Sequence, residues 1–233
     1  MAGVLYGIGV GAGDPELLTL KAARIIRECD IVAVPDAGAG ESVALEIARA
    51  HVQNKPVLRC KLPMTRDEES LAQSRAEAAN LLCRELDAGK DVAFLTLGDV
   101  TVYSTYLYLH KLVAARGYPT QMIAGVPSFC AAAAALGIGL CEAGQALHIF
   151  PASYANTQKA LNTDGVKVFM KAGKKMNELL GEMEEQGLLE GAALAECVGM
   201  PAERLFHNLE GYDGSAGYFS TVILKGCEDA KMR

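Results

Sequence analysis

Phe94-Leu95-Thr96-Leu97-Gly98-Asp99-Val100-Thr101-Val102-Tyr103-Ser104-Thr105-Tyr106 decides how the chain folds. Val92 to Leu97 is a short, mostly apolar run and reads as a buried strand. It stops at Gly98-Asp99, and a helical pattern opens near Val102 and carries Tyr103, Leu107, His110 and Leu112. A strand therefore passes through a tight turn into a helix. In open α/β sheets, ligands bind where strand carboxyl ends meet such turns. Gly98, without a Cβ, lets backbone approach a ligand closely. Asp99 has two readings: a cap on the following helix, or a partner for a cationic or hydroxyl-bearing ligand.

The same alternation extends outward in both directions. Val4 to Tyr6 reads as a strand before the run Gly7-Ile8-Gly9-Val10-Gly11-Ala12-Gly13-Asp14-Pro15. Asp14 then reads as an N-cap and Pro15 as the first helical residue, with an apolar face carried to Arg27. Strands follow at Asp30–Val34 and Lys55–Leu62, and helices at Val43–Val52 and Glu68–Ala88. Beyond Gly117-Tyr118-Pro119 come a strand at Thr120–Ile123 and a small-residue helix opened by Ser128 and Phe129. From there strands become more frequent: Leu147–Phe150, Val166–Met170, Ala192–Val198, Glu203–Leu209 and Tyr218–Lys225. The change in pattern predicts two α/β domains, 1–120 and 121–233.

Composition narrows the function classes. The chain has 233 residues, 51% hydrophobic and 21% charged, as soluble globular proteins have. No apolar run is long enough for a membrane helix, and the amino terminus lacks a basic signal region. The net charge of −6 argues against a broad nucleic-acid-binding face. Seven cysteines, Cys227 among them, include no C-x-x-C pair, and four histidines share no metal-ligand spacing, so neither disulfides nor a metal site is expected. The glycine run admits a dinucleotide reading, Gly7-x-Gly9-x-x-Ala12 with Asp36 after the second strand. Against it, Gly13-Asp14-Pro15 delays the helix and sets a carboxylate where phosphate would sit.

Three boxes resemble the tetrapyrrole methylases. Thr96-Leu97-Gly98-Asp99 with Thr101-Val102-Tyr103-Ser104-Thr105-Tyr106 is similar to the family's central signature. Within the family it is nearest the precorrin-2 and cobalt-precorrin-2 C20-methyltransferases of cobalamin synthesis. Asp14 to Ala22 matches the first box, with Ala12 where proline is usual. Gly125-Val126-Pro127-Ser128-Phe129-Cys130 and the alanines after it resemble the third, from which Ala124 and Pro127 depart. Val100 replaces the usual proline of Gly-Asp-Pro. The Pro63–Asp67 loop also recurs in the C20 branch.

The resemblance implies a cytoplasmic homodimer of two-domain subunits with a cleft between the domains, where S-adenosylmethionine lies folded. Its contacts, carried onto this chain, are Gly98, Asp99, Val102, Tyr103, Ser128, Phe129, Met170, Cys197 and Val198, with Tyr218 to Thr221 beside them. Gly11, Gly13, Asp14 and Arg66 would face the tetrapyrrole. The proton that leaves C20 would go to Asp14, to Asp36 or to a water, with Tyr6 as a further candidate. Rival readings are a methylase for another tetrapyrrole position, a dinucleotide-binding oxidoreductase, and a non-catalytic tetrapyrrole binder.

Overall fold

The computed structural model describes residues 1–38 and 40–225; Cys227 lies outside them. The described chain divides into two compact units, Met1–Pro127 and Ser128 onward.

The first unit is built in chain order from β1 (Leu5–Gly9), α1 (Leu20–Glu28), β2 (Ile31–Asp36), α2 (Val43–Val52), β3 (Val57–Lys61), α3 (Glu68–Asp87), β4 (Val92–Thr96), α4 (Tyr106–Ala114) and β5 (Thr120–Ile123). The strands form one parallel sheet, ordered β3-β2-β4-β1-β5. Every residue of β4 is buried, as expected of a strand covered on both faces. Residues alternate between the faces. Ile8, Val32 and Leu95 meet α1 and α2 on one side. Leu5, Ala33 and Phe94 meet α3 and α4 on the other. Adjacent strands β1 and β4 thus send their following helices to opposite faces, which opens a crevice at their carboxyl ends.

Caps explain where the helices begin. Thr19 accepts from Ala22 N–H at 3.1 Å to open α1. Asp67 accepts from Ser70 N–H at 2.9 Å to open α3. Asp14 caps only a short 3-10 turn, Pro15–Leu17, so the helix expected at Pro15 starts at Leu20 instead. The helix expected near Val102 starts at Tyr106, because Tyr103 takes φ 48°, which no helix accommodates. The expected boundary at 120/121 falls later, because β5 pairs along the edge of β1 and completes the first sheet.

The second unit contains α5 (Ser128–Ala135), β6 (Leu147–Pro151), α6 (Thr157–Leu161), β7 (Val166–Met170), α7 (Met176–Glu185), β8 (Ala192–Glu196), β9 (Arg204–Phe206) and β10 (Ser220–Leu224). Its sheet is mixed, ordered β6-β7-β10-β8-β9. β6 and β7 are parallel, and β10 runs against both β7 and β8. The carboxyl ends of β6, β7 and β8 therefore lie on one edge with the amino end of β10. Phe169, Leu194 and Val222 pack with Met176, Leu179 and Met183 of α7 to form the core.

One contact joins a strand of the first sheet to the helix that follows the central loop. Tyr106 is fully buried, and its ring lies so close to β1 that a Cβ on Gly7 would sit 2.0 Å from Cε1. Its hydroxyl donates to the Gln121 carbonyl at 3.3 Å. Gly7→Ala should cost about 1–3 kcal/mol through overpacking. Urea unfolding of Gly7→Ala, Tyr106→Leu and the double variant checks this. The double should be more stable than the sum of the single losses requires, by about 1 kcal/mol or more; strict additivity would show that the ring does not set the glycine.

Candidate functional site

The carboxyl ends of β1, β4 and β5 are laced together by backbone. Gly11 N–H donates to the Gly98 carbonyl at 3.1 Å, and Gly98 N–H donates back to Gly11 at 2.7 Å. Gly98 has φ 74°, a conformation few side chains tolerate. A Cβ on Gly125 would lie 2.3 Å from the Gly98 carbonyl oxygen and 2.7 Å from Gly9 backbone. Three segments of chain thus meet with no side chain between them.

Asp99 completes the lacing. It is 7% exposed. Its Oδ2 accepts from Gly125 N–H at 2.8 Å, and its Oδ1 accepts from Thr101 N–H at 2.7 Å and from the Thr101 hydroxyl. Burial by itself would raise the carboxyl's pKa. The Thr101 hydroxyl and the Gly125 and Thr101 N–H groups outweigh it and hold the group below the usual carboxylate range. The capping reading does not describe this residue: α4 starts only at Tyr106, whose N–H donates to the Ser104 hydroxyl at 3.1 Å. The Asp99 carboxylate is engaged with its own chain. Beside it Val102 is half-buried, and Tyr103 is 45% exposed in its left-handed conformation.

The expected acids sit on this edge but apart. Asp14 Oδ1 accepts from Glu16 N–H at 2.8 Å, next to Gly13 and close in sequence to Gly11. Asp36 ends β2, and its Oδ1 accepts from Gly38 N–H at 2.8 Å. Since β4 lies between β2 and β1, the two strand ends are about 10 Å apart. Arg66 is exposed in the loop after β3, the strand at the sheet's edge. Tyr6 does not join them. It lies before the end of β1 and lines a 270 Å³ depression with Lys21, Arg24, Asp91 and Gln121. Burial and the Asp91 charge push its pKa up, away from a base's working range.

The glycine run does not form a dinucleotide loop. α1 opens at Leu20, after the separate turn at Pro15–Leu17, so its amino end is not among the glycines. Gly7 and Gly9 are accounted for by the Tyr106 ring and by Gly98 and Gly125 backbone.

In the second unit, Met170, Cys197, Val198 and Tyr218 to Thr221 gather at one sheet edge. Met170 is 8% exposed and pairs with Pro151 and Thr221. The residues directly after β7 and β8, Lys171 and Cys197, have φ 57° and 48°. Cys197 N–H donates to the Phe219 carbonyl at 2.8 Å. The Lys171 ammonium lies 5.8 Å from the centroid of the Tyr218 ring. Ser128 and Phe129 open α5, which packs on β8 and β10, and the Phe129 side chain is buried. Sequence reasoning missed the left-handed backbone at Tyr103, Lys171 and Cys197, for which residue type carries no signal. It also missed Glu196, a buried acid in an otherwise apolar strand.

With this geometry established, the comparisons are specific. The profile described as Tetrapyrrole (Corrin/Porphyrin) Methylases matches residues 4–211, and the chain belongs to that family. It is 32% identical over 231 residues to the cobalt-precorrin-2 C(20)-methyltransferase of Salmonella typhimurium, covering 96% of this chain and 97% of that one. It is 31% identical over 236 residues to the cobalamin biosynthesis protein CobIJ of Mycobacterium tuberculosis, covering 96% of this chain but spanning 46% of that protein's length. The fold matches a uroporphyrin-III C-methyltransferase of Thermus thermophilus solved with S-adenosyl homocysteine. The TM-score is 0.72 at 22% identity, over 96% of this chain and 97% of that one.

The Asp99 strut predicts an acid-dependent stability. Its folded pKa lies below the unfolded value of about 3.9. The stabilisation is therefore complete above that value and fades as pH falls through the lower, folded one. Asp99→Asn should lose about 2 kcal/mol at pH 7, because hydrogen bonds to a charged acceptor are replaced. Urea midpoints measured from pH 7 down to about pH 3 should show the gap to wild type closing below about pH 4. A gap that does not change with pH would contradict an ionised strut.

Proposed function

We propose that this member of the tetrapyrrole methylases transfers a methyl group from S-adenosylmethionine to C20 of precorrin-2 or its cobalt complex, in cobalamin biosynthesis. The observation that carries this reading is the end-to-end match to the Salmonella C20-methyltransferase. The sequence boxes that resemble the C20 branch, Pro63–Asp67 and Val100–Tyr106, support it. A homodimer in the cytoplasm is part of the same proposal and rests on the family resemblance.

The residues present suit the cofactor in kind. An adenosine held mainly by backbone needs strand ends free of bulky side chains and turns that present amides and carbonyls. The Gly98, Gly9 and Gly125 lacing supplies the first, and the left-handed residues Tyr103 and Cys197 supply the second. Gly98, Val102, Tyr103 and the Asp99 backbone would serve from the first unit. Ser128, Phe129, Met170, Cys197 and Val198 would serve from the second. Gly11, Gly13, Asp14 and Arg66 would face the tetrapyrrole.

The cofactor's sulfonium supplies an electrophilic methyl group. The chain's task is then alignment and exclusion of water. Holding C20 in line with the methyl can contribute roughly 7–11 kcal/mol of barrier lowering. Asp14, partly exposed at the end of the glycine loop, is our first candidate to receive the proton that leaves C20, because that loop is tied to the central one by the Gly11–Gly98 hydrogen bonds. Asp36, at the end of β2, is the second.

Calorimetric titration with S-adenosylhomocysteine should give micromolar binding. Incubation of precorrin-2, with and without cobalt, with labelled S-adenosylmethionine should then place the label on C20. Asp14→Asn should lower kcat by about tenfold or more while leaving S-adenosylhomocysteine affinity unchanged. Label at another macrocycle position would reassign the site of transfer. No binding of the nucleoside would overturn the methyltransferase reading altogether.

A further inference from the structure

The acid that ends β8 is buried at the border of the proposed cofactor site. Glu196 is 3% exposed, in a strand whose other residues are alanines and a leucine. A buried carboxylate is costly unless it is paired and hydrogen-bonded. Glu196 has partners from three separate segments. The Tyr212 hydroxyl donates to Oε1 at 3.2 Å. The Ser220 hydroxyl lies 3.5 Å from the same oxygen and donates more closely, at 2.7 Å, to the Gly217 carbonyl. The Arg204 guanidinium, on β9, stands 2.5 Å from Oε2, which accepts no well-formed hydrogen bond among the described residues. The Tyr212 ring is itself braced edge-on against Phe206, with centroids 4.8 Å apart.

Two of these partners, Ser220 and Arg204, adjoin residues that hold the turn beginning at the next residue. Cys197 has φ 48°, a conformation that costs energy for a side chain other than glycine and persists only where its surroundings over-determine it. Its N–H is tied to the Phe219 carbonyl at 2.8 Å, immediately before Ser220. Its carbonyl accepts from Met200 N–H at 2.9 Å. The far side of the turn is held by Glu203, whose Oε2 accepts from Gly199 N–H at 2.8 Å, one residue before Arg204. The Glu196 carboxylate thus grips the segments on which both ends of the Cys197 turn are moored.

We infer that Glu196 is a positioning residue: through Arg204, Tyr212 and Ser220 it holds the Cys197 turn in its left-handed form, and so presents Cys197 and Val198 to the cofactor. The inference rests on the cofactor reading above, and its test separates the two. Wild-type titration with S-adenosylhomocysteine judges the cofactor reading alone. Glu196→Gln keeps the shape and removes the charge, and should weaken that binding by about tenfold or more. Cys197→Gly serves as a second background, whatever its own affinity, because glycine enters this backbone region without strain. Adding Glu196→Gln to Cys197→Gly should weaken binding by no more than a few-fold, a loss of coupling that a merely structural acid would not show.

Tyr212→Phe removes a single donor and leaves the ring in place. It carries the same test, in both backgrounds, should Glu196→Gln prove too unstable to purify. The ¹³Cα shift of Cys197, read in the ligand-free protein, should move away from its left-handed value in either variant. That readout stands even if no nucleoside binds. Binding and Cys197 shifts unchanged in folded Glu196→Gln, or the same loss of affinity when Glu196→Gln is added to Cys197→Gly, would overturn the inference.

Discussion

The first unit depends on a close meeting of backbones at the carboxyl ends of β1, β4 and β5. Gly9, Gly98 and Gly125 approach to distances at which a Cβ on Gly125 would lie 2.3 Å from a carbonyl oxygen. Nothing in that meeting is apolar burial. It is held by the reciprocal Gly11–Gly98 hydrogen bonds and by the Asp99 carboxylate, which collects N–H groups from its own loop and from Gly125. A buried anion is stable there because its donors are fixed backbone amides that need no reorganisation. The consequence for function is that the loop after β4 arrives already shaped. Both carboxylate oxygens of Asp99 serve that shape.

The fold itself was legible because its signals are local and strong. The apolar run at Val92–Leu97 bounded by Gly98 and the repeated strand-then-helix spacing act within a few residues of the chain. What was not legible depends on residues brought together from a distance. Asp99 looks like a cap in one dimension, but its partner Gly125 is remote in sequence. The start of α4 was misplaced by a left-handed Tyr103, and tyrosine carries no propensity for that conformation. β5 was assigned to the wrong unit because a short strand does not reveal which sheet it will join.

The site divides along the same line. Glycines that looked like a phosphate loop are explained by packing against Tyr106 and against one another. Spacing supported the dinucleotide reading weakly, and the delayed start of α1 at Leu20 removes its physical basis. The boxes resembling the tetrapyrrole methylases fared better, since they span strand, turn and helix start together and so encode geometry as well as composition. Tyr6 shows the limit of reading from one strand. It stands close in sequence to the glycine run, yet its side chain lines a depression with Lys21, Arg24 and Asp91.

The left-handed residues connect these threads. Tyr103, Lys171 and Cys197 are unrelated in type and lie in different loops, yet Lys171 and Cys197 directly follow strands and Tyr103 lies in the loop that follows one. Glycine would satisfy the backbone at each place at lower cost, and this chain uses glycine freely elsewhere. A side chain retained against that cost implies either that the side chain is needed or that the turn must not relax. At Tyr103 the exposed ring favours the first explanation. At Cys197, half-buried and flanked by the Glu196 grip, the second fits better, because the surrounding bonds act on the backbone and not on the thiol. Strain at a strand end, held by an ion pair whose carboxylate is buried while its guanidinium is half exposed, keeps the backbone of this sheet edge rigid.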